Sequence, residues 1–314
     1  MGGQRSSRAW PRRLWRVAVL FGTVVGLLAA SGGQAVAAGR THERARPAYY
    51  LALGDSLASG YQPQFGETPP SPPDAGYPGG YARDLAAATG YRLIDLACPG
   101  ETTHSYETVA ALPECAAFYR ATFGVVDQQA AALAFLRAHR HQVRLVTIDL
   151  GADDVLGCLA GASIKASCVA AGLKEIAREL PGELATLRRA VSRDDPGARV
   201  VTMTYYDPAL ALAVVGRLGS ALASLGITAV LNGEVRLSAR LSGLGVANVA
   251  GAFATYSLFP FGIVEGPSGP VVVPHDVVVV CALTHACGSP PDVHPNDAGY
   301  LTIARAFEAV LPRR

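Results

Sequence analysis

Ser56 is the residue of this chain best placed to do chemistry. It lies in the run LALGDSLAS at 51–59, directly after Gly54-Asp55, where an apolar stretch ends. A serine hydroxyl at the turn after a strand can serve as a nucleophile, whereas Asp55 and Ser56 in the same place can also do no more than cap a helix. Three other stretches carry reactive or turn-forming residues at comparable places. They are Gly100 after Cys98-Pro99, the run Gly151-Ala152-Asp153-Asp154, and the run Asp292-Val293-His294-Pro295-Asn296.

The elements around these residues alternate. Tyr49 to Leu53 is a short apolar run closed by a glycine, as expected of a central strand in a parallel sheet. Further strands are expected at 91–97, 143–150, 199–205 and, briefly, 246–249, and helices at 81–89, 127–139, 169–192, 218–244 and 297–310. Asn296 is placed to cap the closing helix. Strands alternating with helices of this length imply crossover connections and a parallel sheet covered on both faces, which makes this an α/β protein. In such sheets ligands bind at the carboxyl ends of the strands. Ser56, Gly100 and Asp153 each follow a strand, and His294 precedes the last helix. Two segments break the alternation. Residues 62–80 form a proline-rich loop too long for a simple connector. Residues 251–291, rich in Gly and Pro, read as a partly extended insertion. Its Phe253, Tyr256, Phe259 and Phe261 either line a pocket or cover the sheet, and it includes the valine run at 277–280.

Composition narrows the class. Arg5, Arg8, Arg12, Arg13 and Arg16 precede an uncharged apolar stretch from Val17 to Ala30, and Ala35-Val36-Ala37 offers small residues for cleavage. This is the pattern of a secretory signal peptide over residues 1–37, its apolar stretch being too short to span a membrane comfortably. A polar leader at 38–46 would follow, and then one domain over 47–314. The whole chain has 27 basic and 25 acidic residues, and all five arginines of the expected signal leave with it. The mature chain is then slightly acidic, with no basic stripe for a nucleic acid. About 275 residues suit a single large α/β domain. Six cysteines in an exported chain argue for disulfides. They fall as neighbours, Cys98 with Cys115, Cys158 with Cys168 and Cys281 with Cys287, and local bridges are expected. No Cys-x-x-Cys spacing supports a metal site.

The four motifs GDSL (54–57), CPGETT (98–103), LGADD (150–154) and DVHPNDAGY (292–300) resemble, in order, those of the GDSL or SGNH hydrolase family. The likeness extends over roughly residues 48–311, and the chain closely resembles the family's secreted actinobacterial esterases and lipases. It implies a flavodoxin-like three-layer α/β/α sandwich with a central parallel sheet, hydrolysing carboxylic esters through an acyl-enzyme without metal or organic cofactor. Ser56 would be the nucleophile and His294 its general base. The family often places an aspartate three residues before the histidine, where this chain has Pro291. Asp292, two residues before His294, shares a face with it in an extended segment and can still orient the imidazole. A backbone carbonyl near Pro290 or Pro291 is the alternative, giving a dyad.

The resemblance also implies an oxyanion hole from the backbone N–H groups of Ser56 and Gly100 and a side-chain amide. The amide position holds Asp153, and an ionised carboxylate has no proton to donate. Burial that kept Asp153 protonated would restore a donor. The leading expectation is a secreted, monomeric esterase or lipase acting on a small ester or lipid, with no membrane span after signal cleavage. The other readings are a carbohydrate O-acetylesterase, a phospholipase, or a weakly active or non-catalytic binding protein on the same scaffold.

Overall fold

Every residue of Tyr49–Gly54 (β1) is buried, as its unbroken apolar character requires of a strand covered on both faces. The computed structural model describes residues 47–65, 76–159 and 164–312. The expected signal peptide at 1–37, the leader at 38–46 and the middle of the proline-rich loop lie outside the described residues.

Four further strands join β1, namely Arg92–Asp95 (β2), Val143–Asp149 (β3), Arg199–Met203 (β4) and Gly245–Ala247 (β5). All pairings are parallel, in the order β2-β1-β3-β4-β5. The crossovers carry the helices Ser56–Ser59 (α1), Tyr81–Thr89 (α2), Thr103–Glu107 (α3), Pro113–Phe123 (α4), Gln128–Ala138 (α5), Asp153–Leu159 (α6), Ala166–Asp194 (α7) and Leu218–Ser242 (α8). Then come Val249–Ala252 (α9), the strands Gly262–Gly266 (β6) and Gly269–Val273 (β7), His275–Leu283 (α10) and Asp297–Glu308 (α11). Helix α7 packs between α5 and α8, while α2 packs against α11. This is the expected α/β/α sandwich of flavodoxin-like strand order. From β1 the chain crosses first to β2 and later to β3 on the other side, so the order reverses beside β1. Such a switch point leaves a crevice at the carboxyl end of the strands.

The six cysteines are joined as Cys98–Cys115, Cys158–Cys168 and Cys281–Cys287. The first ties the turn after β2 to α4. The second joins α6 to α7, and the third closes the end of α10.

The insertion is partly extended, as expected. Residues 262–273 are extended, as an antiparallel hairpin of β6 and β7. The valine run at 277–280, however, is helical, inside α10. β-Branched residues favour strands, but Val277 and Val280 are fully buried against the core from one helical face. Tertiary burial overrides the propensity. Val249, expected to end the last strand, instead begins α9, which Asn248 caps by accepting from the Gly251 N–H.

Candidate active site

Two residues before Ser56 the backbone leaves β1 at Gly54, with φ of +128°, a conformation that side chains resist. Asp55 caps α1, its carboxylate accepting from the Leu57 N–H at 2.8 Å, while its own N–H donates to Asp149 Oδ1 at 3.0 Å. Tyr81 donates to the other oxygen of Asp149 at 3.1 Å. Burial pushes the carboxyls of Asp149 and Asp55 well above the usual range, and their mutual proximity adds to this for Asp55. The capping reading of Asp55 therefore holds, and it fixes Ser56 at the first position of the helix.

His294 comes from the segment before α11. Its Nε2 lies 2.8 Å from Ser56 Oγ and its Nδ1 lies 2.7 Å from Asp292 Oδ1. A carboxylate only accepts, so Nδ1 carries the proton and Nε2 is left to accept from the Ser56 hydroxyl. The same Asp292 oxygen accepts the His294 backbone N–H at 2.9 Å, which closes a tight local loop. Desolvation raises the Asp292 pKa, but the hydrogen bonds from the His294 ring and backbone outweigh it and hold the carboxyl below its ordinary value. The Tyr61 ring packs edge-on against the imidazole at 4.6 Å, and Tyr206 donates to the Val293 carbonyl at 2.7 Å.

Asp153 opens α6 and lines the same pocket as Ser56 and His294. Its carboxyl has no hydrogen-bond partner among the described residues. Desolvation pushes its pKa up to about 6, against the pull of His294. Gly100 stands in the exposed turn after β2, outside the lining of that pocket, with φ of +79°. The turn is linked to Asp153 by a contact that the motifs contain but the sequence reading assigned no role. Asp154 accepts from the Thr103 N–H at 3.0 Å and from the Thr103 hydroxyl at 2.7 Å. Gln128 was also missed. Its side-chain amide accepts from the Gly54 N–H at 2.6 Å and donates to the Gly54 carbonyl at 2.9 Å. Only its distance in space, invisible in a lone glutamine on a helix, reveals this role.

The pocket is small, with a cavity volume of about 50 Å³, and is walled by Leu57, Val155, Leu156, Tyr205, Ile227 and Leu231 among others. Leu156, Leu159, Pro208 and Val293 also belong to an adjoining groove that runs out to Leu212 and Val215. None of the four aromatics of the insertion lines either cavity. Phe253 is buried against Tyr206, with ring centroids 4.5 Å apart, and the Tyr256 hydroxyl accepts from Asn232 at 3.0 Å. Phe259 and Phe261 face solvent. Among the described residues one group of metal-ligating types, His104, Glu175 and Glu179, converges elsewhere, where Arg178 pairs with both glutamates and offsets part of their charge.

A parallel sheet of this order, with a serine, a histidine and a carboxylate in contact beside its switch point, defines a hydrolase fold of the SGNH type. The chain belongs to the GDSL-like lipase/acylhydrolase family, whose profile matches residues 52–301. Its fold is similar to an extracellular lipase from Streptomyces rimosus, with a TM-score of 0.52 and 21% identity over 82% of this chain and 99% of that one. A phospholipase A1 from Streptomyces albidoflavus aligns with a TM-score of 0.43 and 19% identity, covering 75% of this chain and 99% of that one. No curated protein sequence matches the chain.

Proposed function

We propose that this chain is a secreted serine hydrolase that cleaves carboxylic esters through an acyl-enzyme on Ser56. The observation that carries the reading is the continuous contact from Ser56 Oγ to His294 Nε2 at 2.8 Å and from Nδ1 to Asp292 Oδ1 at 2.7 Å. His294 takes the hydroxyl proton as Ser56 Oγ bonds to the ester carbonyl carbon. When the tetrahedral adduct collapses, the carbon–alkoxy bond breaks and His294 returns the proton to the leaving alcohol. Water then attacks the acyl-serine by the same proton path and releases the acid. Asp292 holds the ring in the tautomer that this sequence needs and stabilises the imidazolium. Resemblance to the family assigns the developing oxyanion to the backbone N–H groups of Ser56 and Gly100, with Asp153 at the position of the third donor. The reaction needs no metal or organic cofactor.

The larger apolar groove that adjoins the small pocket at Ser56 supports binding of an acyl chain, which favours longer esters over acetyl esters. Three disulfides support an oxidising destination, and the basic–apolar–small pattern of residues 1–37 supplies the export signal. The test is labelling of the mature protein by a fluorophosphonate, followed by p-nitrophenyl esters of increasing acyl length with Ser56→Ala as control. Stoichiometric labelling at Ser56 and turnover lost in the control are expected, with kcat/KM rising beyond acetyl. Folded protein that is neither labelled nor active would mark a non-catalytic binding protein, the reading that Asp153 favours.

A further inference from the structure

We propose that the β6–β7 hairpin and the Phe259–Phe261 turn leading into it form a docking surface for an uncharged or zwitterionic lipid–water interface, next to the groove that extends from Ser56. The proposal rests on the ester-hydrolase reading and specifies how its substrate is presented. A hairpin with one face on the core normally turns polar side chains outward. Here Val264 and Val271 face inward, but the directly paired Ile263 and Val272 face outward and are 68% and 70% exposed. Phe259 and Phe261, 71% and 55% exposed, stack edge-to-face at 5.2 Å in the turn before β6. Neither ring has a polar tip that would favour water. Clustered exposed apolar side chains of this kind mark a contact with something apolar.

Position ties this surface to the site. The turn of the hairpin lies against the end of the 3₁₀ helix Pro208–Val215, where a Cβ on Gly266 would stand 3.2 Å from the Val214 carbonyl oxygen. That 3₁₀ helix supplies Pro208, Leu212 and the exposed Val215 to the groove that adjoins the Ser56 pocket. A molecule leaving a lipid surface docked on the hairpin would therefore meet an apolar path toward Ser56.

Charge selects the kind of surface. From Leu241 to Ala304 the chain contains no lysine or arginine. An anionic membrane is held largely by basic residues, and the hairpin and its flanking segments supply none, the 3₁₀ helix beside them being followed by the single Arg217.

The experiment uses the mature Ser56→Ala protein, so that binding is read without hydrolysis, and flotation with phosphatidylcholine vesicles. Phe259→Ser with Phe261→Ser, and separately Ile263→Thr with Val272→Thr, are added to it. Each pair is expected to lower the partition coefficient about tenfold or more, and phosphatidylglycerol in the vesicles is expected not to raise it. The same pairs in the Ser56 enzyme should leave kcat/KM on a soluble short-chain p-nitrophenyl ester within about twofold, which shows that they fold. Failure of the parent to float, or equal flotation of parent and variants, overturns the proposal. So does a concentration-dependent dimer that the variants abolish, which would assign the surface to self-association. Absence of turnover on the soluble ester would instead overturn the hydrolase reading, and flotation of the Ser56→Ala protein is independent of that result.

Discussion

Asp149 occupies the space where a side chain on Gly54 would sit. A Cβ there would fall 1.7 Å from Asp149 Oδ1 and 2.1 Å from the Asp149 carbonyl oxygen. The close approach of β1 and β3 lets Asp149 accept the Asp55 N–H, and so the buried sheet itself sets where Ser56 stands. Gly54→Ala must both adopt a φ suited to glycine and push β3 away. A loss of about 3 kcal/mol or more in urea unfolding is expected, with fluorophosphonate labelling reduced in whatever folds. An unchanged unfolding midpoint would show that the strand pair yields without cost.

Asp292 bonds both the ring and the backbone N–H of His294, a geometry set by the bend of the chain at Val293 and His294 rather than by the extended spacing the sequence suggests. Removing the carboxylate frees the imidazole to rotate or to take the wrong tautomer. Asp292→Ala is expected to lower kcat by about 100- to 10,000-fold with KM little changed, the range set by loss of the carboxylate in serine proteases. Steady-state kinetics on one soluble ester measure this. A fall of less than about threefold would assign the orienting role to a backbone carbonyl and reduce the triad to a dyad.

Much of this architecture is legible in the sequence. The run Tyr49–Leu53 declares a two-sided buried strand, and Asn296 caps α11 through the Gly299 N–H. The helix at 218–242 stops where Gly243 takes a φ of +68°. What escapes is interaction across space. Gln128 gives no local sign that it will clamp Gly54, and the Thr103–Asp154 bond joins residues 51 apart. In Val277–Val280 β-branching is a local preference for strands, whereas the helix it forms is set by burial. Phe259 and Phe261 look like core or pocket residues because hydrophobicity alone cannot reveal which face of a hairpin they join.

Asp153 gives the pocket a titratable group where the family resemblance expects an amide. With its pKa pushed up to about 6, the carboxyl can donate at pH 5 and is an anion at pH 8. Activity assisted by the protonated form is therefore lost as pH rises through about 6. Asp153→Asn, which donates at every pH, is expected to raise kcat about tenfold or more at pH 8 and little at pH 5, given what one oxyanion donor is worth. Equal rates for the two proteins from pH 5 to 8 would mean that Asp153 takes no part.

Glu183, on the inner face of α7, is buried with neither carboxyl oxygen hydrogen-bonded among the described residues, close to the equally unpartnered hydroxyl of Tyr106. Burial first, then the nearby Glu107, Glu179, Asp154 and Glu101, pushes its pKa up to about 9. The folded protein thus keeps this proton up to about pH 9, whereas an unfolded chain releases it near 4.3. Across that window the unfolded state binds fewer protons, so stability falls as pH rises, by about 1.4 kcal/mol per unit at most. The contribution is fully present below pH 4 and lost toward pH 9. Glu101, raised to about 7, and Asp207, raised to about 6, act with the same sign over shorter windows. Glu183→Gln is neutral at every pH, so its Tm should match wild type near pH 4 and exceed it at pH 8. Parallel Tm–pH curves for the two proteins would show that Glu183 ionises in the folded state without penalty.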